Sequence, residues 1–207
     1  MTPSLRVAPS RIWRALRFAI VIPCCLLSAG ASGEPTSDPL SGLLTSSAET
    51  LCFSRAYSAS HLTRHPKQAT AAVALSFRQD AVRIMLRQKH IKDPAYVVAT
   101  CEWRATNAAA YPEGKSMFPG FKRGAGFECI VMITPQSAEE GGATLIDPAP
   151  DAKSLTLFLD TPVSAQRGLD ADAELFDLEL GPQDRAFKLM RTSADVCNAM
   201  DKVLRAP

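Results

Sequence analysis

The 207-residue sequence contains no Cys-x-x-Cys and no regular alternation of strand and helix patterns. These absences remove a thioredoxin-type redox motif, a zinc-ribbon knuckle and a parallel nucleotide-binding sheet. A phosphate loop is missing too. Gly114-Lys115 lacks the glycine that a Walker pattern requires five positions earlier, where Ala109 stands. There is no nucleophile elbow, and neither the scattered serines nor Glu139-Glu140 mark a paired-acid geometry. The residues 169–177 offer Asp170, Asp172, Glu174 and Asp177, yet position six of an EF-hand frame would be Leu175 rather than glycine. Nothing in the pattern requires a cofactor, and the balance of absences points away from an enzyme.

The apolar run from Phe18 to Leu27 falls short of the roughly 20 residues a bilayer span needs. It follows Arg6, Arg11, Arg14 and Arg17 and precedes Ala29-Gly30-Ala31, the layout of a secretory signal peptide cleaved after Ala31. Residues 1–31 are therefore expected to be a leader, 32–48 a Ser/Gly/Pro-rich flexible lead-in, and 49–207 a single β-rich domain. The expected location is the periplasm or the exterior, with no membrane span once the leader is gone.

Removing the leader takes four of 23 basic residues and none of the 21 acidic ones, so the remainder is slightly acidic. Such a balance gives no case for nucleic acid as a partner. Charge is unevenly spread, however. Residues 55–123 hold 12 basic and 4 acidic side chains, whereas 124–184 hold 2 basic and 12 acidic. A mixed surface in which the two halves neutralise each other is the expected outcome.

Cys24 and Cys25 leave with the leader, and Cys52, Cys101, Cys129 and Cys197 remain. An even count in an exported chain favours two disulfides. Of the three possible pairings, Cys101 with Cys129 would close a hairpin, and Cys52 with Cys197 would tie the ends of the domain together.

Period-two alternation is clearest at 70–77, where Val73, Leu75 and Phe77 share a face, and at 81–88, where Val82, Ile84 and Leu86 alternate with Arg83 and Arg87. Similar short segments recur at 50–57, 95–103, 127–134, 143–147, 154–160, 174–180 and 185–191, separated by turn residues such as Gly141-Gly142 and Gly181-Pro182. This predicts a mainly β fold: an antiparallel β-sandwich or barrel of about 8–9 short strands, with a C-terminal helix and one short helical turn. The C-terminal helix is expected after a Ser193 cap, with Val196, Met200 and Val203 on one face.

Two segments carry chemistry worth locating. His61 and His65 lie four apart in a short helical turn capped by Ser58 or Ser60, the spacing of a metal pair. The intervening Leu-Thr-Arg supplies no general base, and Pro66 ends the turn at once, so a capped turn between strands is the preferred reading. Residues 104–127 form a long, aperiodic connection of the kind usually kept for function. It sets Tyr111, Phe118 and Phe121 among Lys115, Lys122 and Arg123, a mixture suited to an anionic or saccharide ligand or to an envelope protein. The plainer expectation is a long hairpin excursion stapled at its base by Cys101 and Cys129, with its aromatics folded onto the domain. The function expected is thus an exported β-rich binding or interaction module. Alternatives are an extracytoplasmic metal-dependent hydrolase using His61 and His65, and a structural envelope component.

Overall fold

The computed structural model describes residues 37–44, 50–79, 81–110, 117–122, 124–133, 141–168 and 173–198. Ten strands run in chain order: β1 Leu51–Ala56, β2 Thr70–Arg78, β3 Ala81–Gln88, β4 Ala95–Arg104, β5 Gly126–Val131, β6 Ala143–Pro148, β7 Ser154–Leu159, β8 Val163–Gln166, β9 Leu175–Leu178 and β10 Ala186–Thr192. The single α-helix among the described residues, α1, is Ala59–Arg64. Every strand pairing is antiparallel.

Closure makes the fold a barrel. Strands β1 to β7 and β10 form a ring in which β3 pairs with β4 and β10 returns to β1. Eight strands make a ring whose interior is just wide enough for side chains to fill. Phe53, Leu75, Phe77, Ile84, Leu157 and Leu189 are all fully buried there. The alternating residues that define each strand in sequence supply this filling, because successive side chains point to opposite faces. Burial of one such aromatic or aliphatic side chain contributes roughly 1.5–3 kcal/mol, which makes this interior the main source of stability.

Strand β4 organises the wall. Its first part, Ala95–Thr100, pairs with β3, and its second part, Ala99–Arg104, pairs with β5. Because β5 leaves the start of β4 uncovered, β8 docks there through Tyr96 and Gln166, and β9 follows as its hairpin partner. Strand β8 falls between the segments 154–160 and 174–180 that the alternation marks as strands. Its four residues are too few to display a convincing period.

The turn before β6 needs both of its glycines. A Cβ at Gly141 would lie 2.5 Å from the Val131 carbonyl oxygen, and Gly142 has φ +95°. The stretch expected to be a flexible lead-in is partly engaged: Leu40 is fully buried in the main core beside a 3-10 turn at Ser41–Leu43. At the other end, the described part of the expected C-terminal helix is a 3-10 turn, Ala194–Val196, and Ser193 precedes it without a side-chain capping bond. Residues 199–207, with Met200 and Val203, lie outside the described residues.

Both disulfides form between the expected partners. Cys101 and Cys129 are directly opposite each other on β4 and β5. Cys52, on the outer face of β1, reaches Cys197 just after the last turn, and the bridge is buried with Ala74.

Candidate functional site at the barrel end and outer wall

The α1 end of the barrel gathers polar and aromatic groups. Ser58 is extended (φ −68°, ψ 155°) and its side chain accepts from the His61 N–H, so the cap expected from sequence is made by Ser58. The six-residue helix then lays His61 over Tyr57, with ring centroids 4.8 Å apart, and His65 over His61 at 4.3 Å. The Arg55 guanidinium lies over the Tyr57 ring, 4.9 Å from its centroid. Tyr57, His61 and His65 thus form a column of three rings.

Hydrogen bonds settle the orientation of its central ring. The Gln68 amide nitrogen donates to the Thr70 carbonyl at 2.9 Å, which turns Gln68 Oε1 toward His61 Nε2, 3.0 Å away. An oxygen there accepts, so His61 carries its proton on Nε2. The chain around Gln68 is held in turn by Asp184. This fully buried carboxylate accepts from the N–H groups of Ala69 and Thr70 at 2.7 and 3.0 Å. Gly181 permits the approach, since a Cβ there would lie 2.9 Å from the Lys67 carbonyl oxygen.

These contacts argue for a braced turn. A metal chelated by residues four apart needs two imidazole nitrogens converging on one point. Here the rings lie one above the other, and His61 Nε2 is committed to Gln68. No group of three or more His, Cys, Asp or Glu side chains among the described residues is placed to hold a metal. Of the acidic segment, Glu174 pairs with Arg167 at 3.4 Å and Asp177 is exposed, while Asp170 and Asp172 lie outside the described residues.

Burial raises the Tyr57 phenol above the ordinary tyrosine value; nearby Arg55 lowers it in part and Asp184 adds to the rise. Burial alone raises Tyr96. In both, the fold favours the neutral phenol. The stability this contributes is complete below the ordinary tyrosine value near 10 and is lost as pH rises through the higher folded-state values. Absorbance at 295 nm should accordingly show two late-ionising phenols, one of which disappears in Tyr57→Phe. Ordinary ionisation of Tyr57 would mean that the column is not packed against the barrel end.

The described residues of the 104–127 connection, 104–110, 117–122 and 124–127, pack on the barrel's outer wall. Phe118 and Phe121 are only 5% and 7% exposed and pack on Phe158 of β7, at 6.2 and 5.9 Å, together with Leu145, Ala108 and Ala109. Glu128 fastens the segment from below, accepting from the Ala109 N–H and pairing with Arg104 at 3.2 Å. Phe118 and Phe121 therefore hold the described part of the excursion to the wall, as in the reading that folds its aromatics onto the domain. Lys122 is exposed. Tyr111, Lys115 and Arg123 lie outside the described residues.

A signal for this packing was present in the sequence. Leu145-Ile146 and Leu157-Phe158-Leu159 break the period-two pattern, as strands covered on both faces do. Ile146, Leu157 and Leu159 fill the barrel, while Leu145 and Phe158 face the excursion.

The fold is thus a closed eight-stranded antiparallel barrel, with an added hairpin and two disulfides. Comparison with known families, curated proteins and solved structures finds no match for the chain.

Proposed function

We propose that this protein is exported to an oxidising compartment and acts there as a binding module, using the outer surface of its barrel. The observation that carries the reading is the filled interior: with Phe53, Phe77 and Leu157 fully buried, a ligand is left with the outer wall and the ends. Two disulfides are compatible with the compartment, and the basic leader followed by a short apolar run supports export. No helix among the described residues is long and apolar enough to cross a membrane. The contact surface we favour is the 104–127 excursion, with exposed Lys122 joined by Tyr111, Lys115 and Arg123, and its partner is an anionic saccharide or an envelope protein.

The test has two parts. Cells expressing the full chain should yield an extracytoplasmic protein that begins at Ser32 and has no titratable thiol; a cytoplasmic, reduced chain that keeps its leader would refute export. Retention of the purified protein on immobilised polygalacturonate should fall about tenfold in the triple variant Lys115→Glu, Lys122→Glu, Arg123→Glu, as three lost charge contacts of roughly 0.5 kcal/mol each require. Equal retention of variant and parent would remove the excursion as the contact surface.

A further inference from the structure

One row of outward side chains crosses the wall beside the excursion. Leu145 and Phe158, opposite each other on β6 and β7, are covered by Phe118 and Phe121. In the next outward row Asp147 stands opposite Thr156, and Thr156 opposite Lys188 of β10. With Ser154, Ala149 and Leu155 these three side chains line a depression of about 180 Å³. It sits on three paired strands rather than on a loop, so its groups are positioned by the ladder itself.

From this arrangement we infer that the depression is a binding site for a single uncharged sugar ring, a reading that rests on the proposed role as a binding module. The chemistry is matched group by group. Asp147 accepts, Lys188 donates, and the hydroxyls of Ser154 and Thr156 do both, which suits adjacent sugar hydroxyls that themselves donate and accept. Opposite charges on Asp147 and Lys188 flank Thr156, so the site selects neither phosphate nor a cationic group. Ala149, at the rim, supplies a small apolar contact for ring C–H groups, while Leu155 faces the barrel interior and borders the depression through its backbone. The volume equals that of about six waters and lies below the roughly 300 Å³ at which cofactor-sized pockets begin. One ring fits; a peptide segment or nucleotide does not.

Saturation-transfer NMR on the intact oxidised protein tests this with methyl glucoside, methyl galactoside and N-acetylglucosamine, and with inorganic phosphate (followed by phosphorus line width) and triglycine as competing classes. At least one of the sugars should show transfer, and the apparent affinity should drop about fivefold in Thr156→Val, the worth of one neutral hydrogen bond, and about tenfold in Lys188→Met, which loses a charged donor. Both substitutions lie on the outer wall, and an unchanged urea midpoint verifies the fold. No transfer from any sugar, preferential binding of phosphate or triglycine, or an affinity in both variants unchanged from the parent would overturn the inference. The triple charge-reversal variant separates the two readings. Sugar transfer retained while polygalacturonate retention is already weak in the parent leaves the depression standing and the excursion refuted. Loss of transfer in Thr156→Val with retention intact has no bearing on the excursion and supports the depression.

Discussion

Replacing Cys52 and Cys197 together by alanine is expected to lower the free energy of unfolding by about 5 kcal/mol, against about 3.5 kcal/mol for the same treatment of Cys101 and Cys129. The difference arises from loop length. The first bridge joins residues 145 apart and the second residues 28 apart, so the first removes more freedom from the unfolded chain. Typical domains are stable by only about 5–15 kcal/mol, and loss of the long bridge would bring this one near the threshold of folding. The location adds a local effect. Cys52 lies opposite Thr192 in the pairing of β1 with β10, the seam where the ring closes. Urea unfolding of both double variants, alongside amide exchange in β1 and β10, checks the order. Equal losses would contradict the loop-length account, and unchanged exchange along the seam would show that the bridge does not guard it.

Phe77→Ala should cost about 3–5 kcal/mol, the range for removing a fully buried aromatic from a core that relaxes only in part. Phe77 has no exposed surface and sits edge-on to Phe127 at 4.7 Å, which in turn meets Trp103 edge-on at 5.0 Å. Aromatic pairs of this kind contribute beyond the area they bury. Trp103 makes the cavity visible, because the other tryptophan, Trp13, belongs to the expected leader. The variant should therefore show a shifted Trp103 emission together with a lowered urea midpoint. A loss below about 1 kcal/mol would mean that the barrel collapses around the gap. It would also weaken the premise that ligands are confined to the outer surface.

Much of the architecture was legible in the order of residues. Val73, Leu75 and Phe77 announce β2, and Val82, Ile84 and Leu86 announce β3, because a strand with one buried face must alternate. The preferred disulfide partners among the three pairings are those that form, Cys101 with Cys129 across a hairpin and Cys52 with Cys197 between the ends of the domain. Other features were illegible for definite reasons. A sandwich and a barrel demand the same alternation, and only the pairings of β3 with β4 and β1 with β10 distinguish them. His61 and His65 have the spacing of a metal pair whether their rings converge or stack. The choice between the two depended on Tyr57 and Gln68, placed by the neighbouring strand and turn. The same holds for Phe118 and Phe121, which look like a stacking platform until Leu145 and Phe158 supply the surface they cover.

By itself the sequence determined the strand-rich composition, the buried face of most strands, a serine-capped turn at His61 and the lack of any established catalytic motif. All of these depend on residues close together in the chain, where steric and hydrogen-bonding preferences act directly. Only the tertiary structure decided that the sheet closes on itself, which surface Phe118 and Phe121 cover, and that Asp147, Thr156 and Lys188 fall in one row. Each of these joins strands distant in sequence, and their register is set by mutual packing around a shared interior.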